Sequence, residues 1–575
     1  MLYLFKRIPK KFIFLSVFFA FIQGFFELIL PTITASLVDQ AIIPRDMSAL
    51  RFISVKMIIV TLLIVSSALL NIWFASKASQ NLGQDLRNHL YHKVQKLAKD
   101  DLDAFGTASL INRSSTDIMQ IELTTMMVLR MFLLAPALLL FALVMAIHSS
   151  LALSQTYLVT IPIIVISLGV ILYFSAPYFR VMQGKLDQMN LIYREGLTGV
   201  RVIRAFNKNE YEAERFKASN LDYRDTAIAV NIRIAFLMPI LMTTLNLSIV
   251  FINWLGAHLV SMQQLDLGAI ISFVSYTGIM GVSFQFIALM FVLIPRAQVS
   301  AGRIVEVLVT PEKIHSPKSR GCLFSKDEET RLDFNHVNFA YDGASSPVLK
   351  DIDFHLTANQ SLGIIGGTGS GKSTLANLIF RFYQVKDGKI LINNLPIEHY
   401  NLKNLRDHIA YVPQKANLFS GTIRSNLAFG KAGASDEEMW RALEIAQANS
   451  FVEKLDKGLD SVVEQGGTNF SGGQKQRLCI ARALLKDAEI LIFDDSFSAL
   501  DAQTDQKLRQ ALSETTQGKI ILIIAQRVST IQHADRILVL TDNGAIAGIG
   551  RHEELLREVP LYASIVSSQS KEVTE

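Results

Sequence analysis

Cysteine is almost missing. The chain of 575 residues holds two, Cys322 and Cys479. They lie far apart and fit no metal-ligand spacing, which excludes a disulfide scaffold and a cysteine-based metal site; both read as reduced cytosolic thiols. The histidines show no ligand spacing either. Charge is also scarce, at 19% of residues against ~25% in an ordinary soluble protein. The net charge of +5 is small for this length. It does not call for nucleic acid as a partner, and Lys and Arg on the cytoplasmic side of a membrane account for it.

What the chain has instead is apolar sequence: 50% of its residues are hydrophobic. The excess sits in the first ~300 residues as runs long enough to span a bilayer. The length suggests about three to four units of ~150 residues. After the basic flank Phe5-Lys6-Arg7-Ile8-Pro9-Lys10-Lys11, a run from Phe12 to Ala35 is too long for a signal-peptide core and lacks a small-residue cleavage site. It reads as a first, retained membrane helix. Five more are expected near 56–76, 128–148, 151–173, 236–260 and 268–293. The loops 77–127 and 174–235 are rich in Lys and Arg, which places them, the N-terminus and everything after Arg296 in the cytoplasm. Arg45 and Arg51 in the first outer loop run against that pattern. Leu86, Leu90, Val94 and Leu97 recur at helical spacing, so the long loops read as helical extensions. Gly106, Gly196 and Gly199 mark their tips.

From residue 331 the pattern changes to short β-like runs alternating with helices. Strands are expected at 332–339, 361–365, 409–412, 489–493, 519–524 and 536–540, an α/β domain. A polar stretch with Pro311, Pro317 and Gly321 precedes it. The expected division is a six-helix, all-α membrane part over 1–310, a linker over 311–330, and the α/β domain over 331–575.

The chemistry concentrates at Gly366-Gly367-Thr368-Gly369-Ser370-Gly371-Lys372-Ser373-Thr374, between an apolar strand and a helix expected over 375–382. Glycines let backbone N–H groups close around phosphate oxygens. The helix N-terminus adds positive potential. Lys372 can reach the β- and γ-phosphates of ATP, and the Ser373 hydroxyl can hold Mg²⁺. Asp494 ends the strand Ile490-Leu491-Ile492-Phe493, where a carboxylate can hold Mg²⁺ directly or through water. A second anion cradle, Phe470-Ser471-Gly472-Gly473-Gln474, precedes a helix expected from about Lys475. Two cradles about a hundred residues apart do not easily serve one nucleotide in one domain; a two-chain sandwich resolves this.

These motifs, over the whole length, resemble an ABC exporter half-transporter of the ATP-binding cassette family. The pattern is most similar to one subunit of bacterial heterodimeric multidrug exporters. The resemblance implies that Tyr341 stacks on adenine. It implies that Gln414 touches Mg²⁺ and senses the membrane helices. Ser471, Gly473 and Gln474 then act in trans on the γ-phosphate held by the partner's cassette. Ser498 to Asp501 cross the dimer interface, and the tips near 104–107 and 195–201 dock on cassettes. Two positions depart from the family. Asp495 stands where a glutamate positions the attacking water, and Gln526 stands where a histidine is expected. A misplacement of ~1 Å can cost ~10²-fold in rate, and Gln never carries the charge of an imidazolium. The site on this chain is therefore expected to hold Mg-ATP and hydrolyse it poorly. Phe470 replaces the usual Leu of an otherwise intact signature, and Val463 to Gly467 also depart from the exporter pattern.

The implied function is one subunit of an ATP-driven exporter in the cytoplasmic membrane. It moves hydrophobic or amphipathic compounds, drugs foremost, and pairs with a second half-transporter. A lipid or peptide exporter and a regulatory ATP-binding subunit remain alternatives. The sequence carries no peptidase-like N-terminal extension, which counts only against a processing peptide exporter. Within the membrane, Glu27 is equally a packing or a pathway residue. Arg130 reads as snorkelling. Asn246 and Asn253 share a face suited to interhelical hydrogen bonds. Met280, Phe284, Phe286 and Met290 read first as packing, with a substrate cavity as the alternative.

Overall fold

A computed structural model describes residues 7–317, 322–324 and 329–572; Phe5, Lys6 and Gly321 fall outside them. The chain divides into two compact units, Met1–Lys93 with Ala108–Val309, and Val94–Thr107 with Thr310–Glu575.

Among the described residues, six helical segments have the length and composition to cross a membrane, nearly all of their length in the first unit: Lys10–Ile42, Met47–Val94, Thr107–Ser149, Leu151–Thr198, Asn209–Ser261 and Leu267–Val309. Each contains one of the expected spans, and most run on well past it. Large apolar side chains such as Phe14, Leu62 and Leu158 point outward, as they do where lipid is the solvent. Small residues do the packing between helices. Ala135, Ala142 and Ala146 are fully buried. A Cβ on Gly256 would lie 2.7 Å from Ile270 and one on Gly281 2.5 Å from Leu245. Asn71 donates to the Ser16 carbonyl at 2.7 Å, and Tyr157 and Thr277 share a hydroxyl contact of 2.9 Å. Met280, Phe284 and Met290 are buried among the helices, and Asn253 donates to its own helix at the Ile249 carbonyl. Arg113 donates to the Arg303 carbonyl and to Glu306, while Ser300 donates to Asp117 at 2.8 Å. A single π-helical turn ends the first segment at Val38–Ile42, and two interrupt the third at Arg113–Asp117 and Val128–Phe132.

The second unit has twelve strands among its described residues: β1 Arg331–Phe339, β2 Leu349–Thr357, β3 Ser361–Gly366, β4 Asp387–Ile392, β5 Leu395–Pro396, β6 Ile409–Val412, β7 Gly421–Thr422, β8 Val462–Val463, β9 Ile490–Asp494, β10 Ile520–Ile524, β11 Arg536–Leu540 and β12 Ile546–Gly550. The main sheet runs β12-β11-β3-β10-β9-β6, with β2-β1-β4-β5 beside it and a small β7-β8 pair. In the main sheet β11, β3, β10, β9 and β6 are parallel. Their near-continuous apolar sequence follows, because parallel strands are covered on both faces. Register aligns Ile364 of β3, Ile524 of β10 and Asp494 of β9 in one row. The Gly-rich loop and Asp494 therefore leave the sheet at the same carboxyl edge, where α/β folds place ligands.

Three differences from the expected elements have local causes. The helix after the Gly-rich loop is Lys372–Ile379, earlier than 375–382, since Gly371 takes φ 93° just before it and Arg381 takes φ 50° just after it. The second helix starts at Gly472, because Ser471 and Gln474 form a reciprocal capping box. Gly196 lies inside helix Tyr157–Thr198, and Gly199 ends it. β2, β4 and β12 had no place in the sequence reading. Gly106, by contrast, closes helix Lys99–Phe105 with φ 72°. That helix belongs to the second unit, where Lys313 bridges Asp101 and Asp342, each at 2.9 Å.

Candidate functional site

The carboxyl edge of the main sheet opens into a cleft of about 360 Å³. Eleven residues singled out in the sequence line it: Tyr341, Thr368, Gly369, Gly371, Lys372, Ser373, Thr374, Gln414, Asp494, Asp495 and Gln526. Val348 and Ile524 complete the wall. Gly366, Gly367 and Ser370 of the same loop are not among the lining residues.

The loop owes its path to residues without side chains. Gly369 and Gly371 have φ of 87° and 93°, the left-handed region that glycine tolerates best. A Cβ on Gly371 would meet Leu349 at 2.7 Å and the Val348 carbonyl at 3.0 Å. Lys372 folds back over this loop and donates to the carbonyls of Gly366 and Gly367 at 2.9 and 2.7 Å. Burial pushes its ammonium down from the ordinary lysine value, against the pull of Asp495 and Asp494. A half-buried cation at the start of a helix, drawn towards two carboxylates, is arranged for phosphate.

Asp494 is 3% exposed. Ser373 donates to its Oδ1 at 3.0 Å and Tyr411 to its Oδ2 at 3.1 Å. Burial raises its carboxyl above the ordinary aspartate value despite both hydrogen bonds, so its charge is held at a cost. No group of three His, Cys, Asp or Glu arranged to hold a metal ion occurs among the described residues. Magnesium needs none: it binds through one or two protein oxygens plus phosphate and water. The Ser373 hydroxyl and the Asp494 carboxylate are hard donors of that kind, and they fit. Bound there, Mg²⁺ would supply charge neutralisation to a triphosphate.

Asp495 is built differently. It sits at φ 47°, where a residue other than glycine is uncommon. Its Oδ2 receives the amides of both Gln414, at 3.1 Å, and Gln526, at 3.0 Å. The carboxylate is thus tied to the two glutamines flanking the cleft. Tyr341 reaches Thr374 with a hydroxyl contact of 2.7 Å and packs edge-on against Tyr383 and Phe339. Tyr411 lies in the strand expected over 409–412, and its bond to Asp494 is a role that no spacing rule announces.

Ser471, Gly473 and Gln474 do not line this cleft. Ser471 accepts the Gln474 N–H, and the Gln474 side chain accepts the Ser471 N–H at 2.9 Å. The Gln474 amide is thereby used as a cap. Gly473 packs under Ala499, whose carbonyl would lie 3.0 Å from an added Cβ. Ser498 donates to the Asp495 carbonyl at 2.9 Å, and Asp501 caps the next helix through the Thr504 N–H.

A phosphate cradle at the end of a parallel sheet, on a chain with six membrane-length helices, defines an integral membrane protein that carries its own nucleotide-binding domain. Residues 13–284 match the family described as ABC transporter transmembrane region, and residues 349–498 match the family described as ABC transporter. An uncharacterized ABC transporter ATP-binding protein of Mycobacterium bovis is 36% identical over 552 residues, covering 95% of this chain and 94% of that protein. The ATP-dependent lipid A-core flippase of Pseudomonas aeruginosa is 31% identical over 494 residues, 86% of this chain and 81% of that protein. A bacterial Atm1-family ABC exporter solved with ATP bound shares the fold, with a TM-score of 0.81 at 24% identity over 97% of this chain and 98% of that one. The chain belongs to the ABC transporter family, as a half-transporter with one membrane domain and one ATP-binding cassette.

Proposed function

We propose that this chain is one subunit of an ATP-driven exporter for hydrophobic or amphipathic compounds. It works with a second, different half-transporter, and the ATP site built on its own loop hydrolyses slowly. Residues 1–310 form the membrane part, 311–330 the linker and 331–575 the cytoplasmic cassette in a cytoplasmic-membrane protein. Tyr341, the loop 366–374 and Gln414 bind Mg-ATP, with Ser373, Asp494 and Gln414 near the metal. Ser471, Gly473 and Gln474 serve the partner's nucleotide.

The observation that carries the slow-site reading is the arrangement of Asp495. Its carboxylate is one methylene shorter than glutamate and already accepts two amide hydrogen bonds on one oxygen. A group held that way is poorly placed to orient a water, and Gln526 brings hydrogen bonding without charge. The flippase among the relatives favours a lipid-like amphiphile over a soluble peptide as the second reading of the cargo. A purely regulatory subunit is the remaining one.

The test is to restore the family residues. Asp495→Glu with Gln526→His should raise single-turnover hydrolysis at this chain's site by ~10–100-fold, the range expected for regained orientation of a reactant. No gain, with ATP still bound, would show that these two groups do not limit the site. Transport of a fluorescent lipid and of a cationic dye in vesicles, with and without Mg-ATP, separates the cargo classes and isolates pure regulation as transport that survives loss of this site.

A further inference from the structure

The last helix among the described residues, Pro560–Glu572, meets the backbone around Gln526, which lines the cleft. Gln569 accepts the backbone N–H of Val528 at 2.8 Å and donates through Nε2 to the backbone carbonyl of Gln526 at 2.8 Å. One amide therefore holds both sides of the turn that joins β10 to helix Val528–Ile531. The chemistry of that turn explains why it needs holding. Val528 is the first residue of its helix, and such N–H groups have no partner inside the helix. Arg527, at the N-cap, makes no side-chain cap. The cap comes instead from a residue 41 positions further along.

The helix is anchored well enough to act as a fixed point. Tyr562 is fully buried, and its hydroxyl lies 2.7 Å from His552 Nδ1. Tyr562 packs in the cluster that contains Val528, Ile531, Ala525 and Ile365, the last of which leads into the phosphate loop. Gln569 is seven residues on, two turns along the same face. The path from the helix to the site is short: Gln569 holds the Gln526 backbone, and the Gln526 side chain donates to Asp495 Oδ2 at 3.0 Å.

We propose that Gln569 is a positioning residue for the nucleotide site, and that the C-terminal helix sets where Gln526 stands in the cleft by clamping the backbone on either side of Arg527. The inference rests on the reading of Gln526 and Asp495 as site residues. Anything that lifts the helix, such as a partner chain binding to it, would then tune the site without touching nucleotide.

Two substitutions of one side chain separate the two halves of the clamp. Gln569→Ala removes both hydrogen bonds. Gln569→Glu keeps an acceptor for Val528 but cannot donate to Gln526. Hydrogen exchange of the full chain in nanodiscs, without nucleotide, should show faster exchange at Val528 by about tenfold in Gln569→Ala, the size of one lost hydrogen bond, and near-native protection in Gln569→Glu. Single-turnover hydrolysis should change severalfold in both variants while ATP affinity stays within about twofold, because the phosphate loop is left intact. Unchanged exchange at Val528 in Gln569→Ala overturns the clamp. An equal loss of ATP affinity and turnover overturns it too, as general loosening of the fold. The exchange result needs no nucleotide, so it stands or falls apart from the ATP-site reading, which fails separately if Lys372→Ala still binds ATP.

Discussion

Replacing Asp494 by Asn should stabilise the protein without ligand and weaken it with ligand. The carboxylate is buried, accepts hydrogen bonds from Ser373 and Tyr411, and is raised in pKa by its burial. A folded-state value above the unfolded one, ~3.9 for Asp, means that the folded state binds more protons between the two values. Its stability is then fully present below the unfolded value and falls as pH rises through the folded value. Each tenfold rise in proton affinity corresponds to ~1.4 kcal/mol lost at neutral pH. Asn has the same shape, can accept from Tyr411 and donate to Ser373, and carries no such loss. In a domain of this size 1 kcal/mol moves the melting temperature by roughly 2–4 °C. The expected result in EDTA at pH 7.5 is therefore a variant melting a few degrees higher, with the gap closing towards pH 4. With Mg-ATP the order should reverse. Ligand at a hundredfold excess over Kd adds about 2.7 kcal/mol to a protein that binds it, and the variant lacks the metal's carboxylate. Scanning fluorimetry of the purified transporter across pH, in EDTA and in Mg-ATP, measures both arms. A variant that melts lower in EDTA at every pH, or that gains as much from Mg-ATP as the parent, would refute the assignment of Asp494 as a strained metal ligand.

Other outcomes follow from the same geometry. Lys372→Ala should lower ATP affinity more than ~10²-fold, since a charge-assisted partner of phosphate is lost; fluorescent-nucleotide titration reads it. Gly371→Ala should lose nucleotide binding through backbone strain alone, because φ is 93° and the added Cβ meets Leu349 at 2.7 Å. Equal binding by this variant would mean that the loop is remade on ligation. Ser471→Ala or Gly473→Asp should leave ATP binding on this chain intact and cut turnover of the assembled pair more than ~10-fold, in line with loss of transition-state contacts; equal effects on binding and turnover would count against action in trans. Gly388→Ala, far from the cleft, should lower the melting temperature by several degrees. It has φ 83° and an added Cβ would lie 2.3 Å from the His336 carbonyl, a strain of ~2 kcal/mol or more.

The sequence disclosed what depends on short-range pattern. The membrane segments are visible because lipid demands long apolar runs. The phosphate loop is visible because glycine, lysine and hydroxyl must stand at fixed intervals. Asp494 was legible as the polar end of an apolar strand. Elements whose identity depends on distant partners were not. β2 alternates buried and exposed residues around Asp351 and Asp353, β4 opens with the exposed run Asp387-Gly388-Lys389, and only pairing with β1 makes them strands. The left-handed backbone at Asp495 carries no sequence signal, and the two amides that converge on its carboxylate follow β6 and β10, more than thirty residues away on either side. Gln569 carries no motif at all, and only the docking of its helix brings it to Val528.

The π-helical turns at Val38–Ile42, Arg113–Asp117 and Val128–Phe132 have a bearing on chain length. A π turn packs one residue more than the α-helix needs for the same advance along the axis. At Arg113–Asp117 and Val128–Phe132 the chain therefore carries a spare residue that can be dropped while the helices on either side keep their facing surfaces. Elsewhere in a span, loss of one residue turns everything beyond it by about 100° and would bring lipid-facing side chains onto the packed face. Loss of one residue at either turn should therefore leave the packed faces of that segment in register.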